Sequence, residues 1–142
     1  MPLTVLPRVA ALYQLQEAVL EPRLKEFGIG MNTFQLLTAI RGAGEHASQN
    51  EVARRLGVTP ATLSESVTSH VKRGFIRQEP SEYDKRVKVL VLTARAQEIL
   101  GRVLAALEEI EELMIRSLSD SQRIAFEKIL DRCLGNLERQ VR

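Results

Sequence analysis

Between residues 48 and 92 the sequence carries so many helix starts and stops that few topologies satisfy them all. Ser48-Gln49-Asn50-Glu51 is a capping box: the serine hydroxyl accepts from the third helical amide, and the glutamate reaches back to the serine amide. Val52, Ala53 and Leu56 then give one short apolar stripe that ends at Gly57. Thr59-Pro60 supplies an N-cap and a proline at the first helical position, opening a second helix that runs to Arg73 before Gly74 stops it. Two short helices joined by Gly57-Val58 have the spacing of a helix-turn-helix. After Gly74 the period turns from helical to extended. Residues 75–78 read as one strand and residues 87–92, rich in β-branched side chains, as a second. Residues 80–86 between them are polar, so the pair forms a hairpin with a charged tip. A helix-turn-helix followed by such a hairpin is a winged helix.

The flanks are helical. Val5, Val9, Leu12, Tyr13, Leu15 and Val19 recur at helical spacing until Glu21-Pro22, where the residue before proline resists α geometry, so a first helix ends there. Gly28-Ile29-Gly30 breaks the chain, and a second helix runs through Phe34, Leu36, Leu37 and Ile40 to a C-terminal glycine at Gly42, with Gly42-Ala43-Gly44 as the turn. Thr93 caps a long helix with its stripe at Leu100, Val103, Leu104, Leu107, Ile110 and Met114. Ser119-Asp120-Ser121-Gln122 is another capping box, before a last amphipathic helix carrying Ile124, Phe126, Ile129, Leu130, Cys133, Leu134, Leu137 and Val141. A small winged helix cannot cover the stripes of the first and last two helices, which therefore need a partner, most simply a second copy of the chain.

Composition excludes several classes. With 142 residues, 44% hydrophobic and 27% charged, the chain is a globular protein with one core, not a disordered or fibrous one. No apolar run reaches the roughly 18 residues of a membrane span, and the N-terminus lacks a basic leader with a long apolar stretch, so the chain reads as cytoplasmic. One cysteine and two histidines, His46 and His70, leave no soft-ligand metal site, and no cofactor is implied. A glycine-rich phosphate loop and a histidine-paired nucleophile are both missing, so an enzyme is a poor fit. The net charge of +2 argues for no particular partner. Its placement does: residues 48–95 carry nine basic against five acidic side chains, while Glu108, Glu109, Glu111 and Glu112 sit far along the chain, on what is most simply the solvated face of a helix.

With these residues in place, the sequence resembles the MarR family of winged-helix transcriptional regulators over nearly its whole length. The most specific stretch is Asp84-Lys85-Arg86 followed by Val91-Leu92-Thr93, which looks like the family's wing motif and its return strand. Residues 51–59 before the second helix of the pair, and Lys72-Arg73-Gly74-Phe75-Ile76 after it, are also similar. The resemblance implies a mainly α fold with a small β-hairpin wing in a single domain over residues 1–142. Residues 30–93 would form the DNA-binding winged helix, and residues 1–27 and 94–142 the dimerisation helices. It also implies a homodimer on a pseudo-palindromic duplex, acting as a repressor and released by a small aromatic or phenolic effector.

At 100° per residue, Leu63, Val67 and His70 face inward on the recognition helix, while Ala61, Thr62, Ser64, Glu65, Thr68, Ser69 and Lys72 face outward. Small hydroxyl-bearing side chains let a helix sit deep in a major groove, and Ser and Thr bond either base edges or phosphates there. Relatives often carry basic residues where this chain has Glu65 and Ser69; a carboxylate in that groove finds its favourable partner in a cytosine N4 amine. By resemblance Arg86 enters the minor groove, with Asp84 holding its guanidinium and Lys85 near a phosphate; a plain surface ion pair is the blander reading. Gln49 opens a helix whose backbone amides face a phosphate. Tyr13, Met31 and Phe34 are candidates for an effector pocket, with core packing as the plainer alternative. His70 reads as a core histidine and Cys133 as inert packing rather than a redox sensor. A winged-helix module that binds protein and has lost DNA is the rival from a different class.

Overall fold

The computed structural model describes residues 2–141. In chain order it contains α1 (Leu6–Glu26), α2 (Met31–Ala43), a single 3-10 turn (Gly44–His46), α3 (Gln49–Leu56), α4 (Pro60–Lys72), β1 (Ile76–Pro80), β2 (Lys88–Leu92), α5 (Ala94–Ile115) and α6 (Asp120–Val141). The chain divides into two compact units, Met1–Leu107 and Glu108–Arg142. This is the mainly α winged-helix fold with a two-stranded wing that the sequence implies.

The first unit folds around Leu24, Leu37, Val52, Leu63, Val67 and Phe75, all fully buried. Local signals set most of its helix ends. Ser48 Oγ accepts from the Glu51 amide at 3.2 Å, Thr59 Oγ1 from the Thr62 amide at 3.2 Å, and Thr93 Oγ1 from the Ala96 amide at 3.2 Å. Only half of the first capping box forms as expected, because the Glu51 carboxylate is drawn instead to Arg54 and Arg55. At the end of α3, Gly57 adopts φ 68°, a left-handed cap that costs a residue without Cβ little and turns the chain into α4.

Three expected boundaries move. First, α1 does not stop at Pro22 but continues one turn beyond it to Glu26. A proline inside a helix costs about 3 kcal/mol. Leu20 and Leu24 on either side are buried, and full burial of a leucine contributes about 1.5–3 kcal/mol, so together the two offset the break. Second, Gly42 lies inside α2, where an added Cβ would meet Arg55 Nη1 at 3.1 Å; the C-cap is Gly44, at φ 59° and ψ -131°, a positive φ that favours glycine. Third, β1 starts at Ile76 and reaches Pro80 while β2 starts at Lys88, so the hairpin tip is residues 81–87, shifted by one residue from 80–86.

The strands are antiparallel, with Ile76 opposite Leu92 and Pro80 opposite Lys88. Beyond the ladder, Ser81 donates to the Val87 carbonyl at 2.8 Å, and Val87 to the Asp84 carbonyl at 2.9 Å, which closes the tip. A third segment joins the sheet edge that the sequence left open: Ser48 bridges Val89, and the Leu90 amide donates to the Ala47 carbonyl at 2.8 Å. Thr93 Oγ1 donates to the Gly74 carbonyl at 2.7 Å, tying the return strand to the exit of α4.

The apolar stripe expected on α1 exists, but Val5, Val9, Leu12, Leu15 and Val19 are exposed. In the second unit α6 opens on a complete capping box: Ser119 Oγ accepts from the Gln122 amide at 3.2 Å, and Gln122 Oε1 from the Ser119 amide at 2.9 Å. None of its described residues is buried. Ile124, Ile129, Leu130, Leu134 and Leu137 are exposed, as is Cys133, so the expected packing of that thiol is absent within the single chain.

Candidate nucleic-acid interface

The inner face of α4 falls where the helical wheel places it, with Leu63, Val67 and His70 buried. Ala61, Thr62, Ser64, Glu65, Thr68, Ser69 and Lys72 are all exposed. The hydroxyls on that face are not equivalent donors. Thr68 Oγ1 spends its hydrogen on the Ser64 carbonyl at 3.0 Å, so toward a partner it offers lone pairs. Thr62 Oγ1 accepts from Thr59 Oγ1 at 2.9 Å, which leaves its own hydrogen free to donate. Glu65 is the acceptor-only charge and Lys72 the donor-only charge of this face.

The wing presents Arg86 with its side chain 90% exposed. Its Nε lies 3.1 Å from Asp84 Oδ1 and its Nη2 3.2 Å from Oδ2, the bidentate geometry that the resemblance implies, and its backbone amide donates to Oδ1 at 3.0 Å. One carboxylate thus fixes both the turn and the plane of the guanidinium. The Arg86 side chain first, and then its backbone N–H, hold the Asp84 carboxyl below the usual carboxylate range. Lys85 is exposed beside the pair. Gln49 is half-buried in the first turn of α3, and the carboxyl of Glu51 in the same turn is lowered chiefly by its bond to Arg54.

The three effector candidates are placed differently. Met31 and Phe34 are half-buried on α2, whereas Tyr13 is 56% exposed on α1, so core packing fails for it within this chain. The Glu17 carboxylate one turn on bonds the Tyr13 hydroxyl and holds the phenol above its usual range. A cavity of 320 Å³ between α2, α3 and α4 is lined by Asn32, Gln35, Leu36, Leu56, Val58, Thr62, Leu63 and Ser66 and includes none of the three. Among the described residues no cluster of His, Cys, Asp or Glu is arranged to hold a metal ion, and no helix is long and apolar enough to cross a membrane.

Sequence reasoning missed the residues behind the interface. Phe75, 1% exposed, has the Arg73 guanidinium 4.9 Å and the Arg95 guanidinium 4.7 Å from its ring centroid. Arg95 Nη1 also donates to the Arg73 carbonyl at 2.7 Å, closing the C-terminal end of α4 with a cation where the helix dipole favours one. The Lys72-Arg73-Gly74-Phe75 run was the available signal for this end, but not for the contribution of Arg95, which comes from across the wing.

Comparison with known proteins agrees with this architecture. A model of the MarR family matches residues 27–87. The transcriptional repressor MprA of Escherichia coli K12 is 27% identical over 128 residues, covering 87% of this chain and 73% of that protein. Two solved structures superpose at a TM-score of 0.75: wild-type apo MarR from E. coli, 21% identical, and the MepR–DNA complex of S. aureus, 18% identical. Each alignment covers 94% of this chain, and 99% and 96% of the respective neighbour. Residues 27–87 are thus similar to the MarR family, and the fold of the chain is that of the solved MarR and MepR chains.

Proposed function

We propose that this chain is a homodimeric transcriptional repressor that binds a pseudo-palindromic DNA duplex in the cytoplasm and is released by a small aromatic or phenolic effector. The observation that carries the reading is the division of α4: its apolar face is buried, while its hydroxyl-rich face is wholly exposed on the same unit as a wing whose Arg86 is oriented by Asp84. In this reading residues 30–93 contact DNA. Thr62, Ser64, Glu65, Thr68, Ser69 and Lys72 meet the major groove, Arg86 the minor groove, and Gln49 and Lys85 the phosphates. Residues 1–27 and 94–142 are the dimerisation helices, supported by the exposed apolar side chains along α1 and α6. Repression is supported by the likeness to MprA, and DNA as the partner by the likeness to MepR, which is solved on DNA. Tyr13, Met31 and Phe34 are the effector contacts of this reading.

The test combines light scattering with fluorescence anisotropy on a duplex from the chain's own upstream region at two salt concentrations. A mass twice 16.0 kDa and an affinity that falls steeply with salt support the proposal. A stable monomer, or no binding at low salt, refutes it.

A further inference from the structure

Among the described residues, two buried side chains are polar or charged, Thr33 at 4% and His70 at 6% exposure, and they bond to each other. Thr33 stands on α2 and His70 on α4, 37 residues apart, with Thr33 Oγ1 2.9 Å from His70 Nε2. The other ring nitrogen, Nδ1, lies 2.6 Å from the Ser66 carbonyl oxygen. A carbonyl can only accept, so Nδ1 carries the hydrogen and Nε2 receives the Thr33 hydroxyl. Arg73 Nη1 donates to the same threonine oxygen at 3.3 Å, which gives the chain of bonds one direction, from Arg73 through Thr33 and His70 to the Ser66 carbonyl.

We infer that Thr33 and His70 are positioning residues for the recognition helix. They set its rotation against α2 and thereby which side chains of its outer face meet base edges. This inference rests on the proposed DNA binding. Leu63 and Val67, the other buried residues of α4, are held by non-directional contacts, which tolerate a helix turning about its axis. A hydrogen bond between a planar ring and a hydroxyl does not, since it weakens steeply away from its preferred angle. His70 stands on the inner face of α4, so a rotation that broke its bond would swing Glu65 and Thr68 on the outer face through the same angle. The pair is thus the angular reference of the reading surface, and base discrimination is the property it controls. Met31 and Phe34 flank Thr33 in sequence on α2, so an effector seated on them would lie within two residues of this reference.

The test measures preference, not affinity alone. The full-length wild-type protein first selects a duplex from a randomised pool. Binding to that duplex and to a shuffled duplex of the same composition is then compared for Thr33→Val, Thr33→Ser and the double variant Thr33→Val/His70→Leu, with folding checked by thermal melting. The double variant replaces both partners by apolar groups of similar shape, which a core tolerates far better than one orphaned polar atom. Thr33→Val and the double variant should lose about tenfold of the preference at an unchanged salt slope, because phosphate contacts stay in place. Thr33→Ser, which retains the hydroxyl, should keep it. A folded double variant with wild-type preference overturns the inference, as does a Thr33→Ser protein that discriminates no better than Thr33→Val. A wild-type protein that binds no duplex preferentially overturns the DNA reading, and this inference with it.

Discussion

Removing the Arg86 side chain tests the wing most directly, because the structure separates its cost to the fold from its cost to binding. The guanidinium is 90% exposed and its partner among the described residues is Asp84, so Arg86→Ala should leave the melting temperature unchanged. On DNA the loss is larger than that of one cation. Asp84 Oδ1 and Oδ2 lose Nε and Nη2 at 3.1 and 3.2 Å and keep the residue 86 amide, leaving a carboxylate charge with no cation beside it. Each phosphate-neutralising cation contributes about 0.9 to the slope of log affinity against log salt, so two wings contribute about 1.8. Over a fourfold salt range, 50 to 200 mM, that slope difference amounts to about twelvefold. The gap between wild type and Arg86→Ala should therefore shrink by about twelvefold across that range, as read by anisotropy titrations at four salt concentrations. The double variant Asp84→Ala/Arg86→Ala should bind better than Arg86→Ala alone, since it no longer presents a negative charge without its cation. Parallel salt plots for wild type and Arg86→Ala, or a double variant weaker than the single, would refute the reasoning.

Three further outcomes follow from the geometry. Glu65→Gln should change preference at one base pair, where a cytosine N4 amine meets the carboxylate, and a uniform tightening on every sequence would remove that assignment. Phe75→Ala empties the largest fully buried side-chain site and strands Arg73 and Arg95; it should cost about 4 kcal/mol, which a chain of this length shows as a fall of about 13 °C in Tm at fixed protein concentration. Because its bonds to Arg86 hold Asp84 below the ordinary carboxylate range, the wing pair contributes fully above that range and is lost only as pH falls through the lowered value; wing nuclear magnetic resonance shifts should stay flat from pH 8 to 5 and move below.

What the sequence disclosed was mostly local. Ser48, Thr59, Thr93 and Ser119 cap helices because a side chain and an amide three residues on are adjacent in any chain that starts a helix there. The inner face of α4 was equally legible, since helical period alone decides it. Errors arose where distant packing outweighed a local rule. Pro22 is carried inside α1 by the burial of Leu20 and Leu24, which helical period does not reveal, and Gly42 is helical with the Arg55 side chain lying over it from α3. The same limit hid the most informative parts of the candidate site. The Thr33–His70 bond spans 37 residues, and Arg95 reaches the end of α4 from beyond the wing; neither leaves a periodic or spacing signature.

Ser48 serves two masters. Its hydroxyl starts α3, while its backbone pairs with Val89 in the return strand of the hairpin, and the preceding residue accepts from Leu90. The return strand of the wing is in effect riveted to the start of α3. A tilt of the hairpin therefore pulls on the start of α3, so the wing and the helix pair are mechanically joined. In the proposed reading, a displacement of the wing on a duplex would then reach the start of α3 through Ser48.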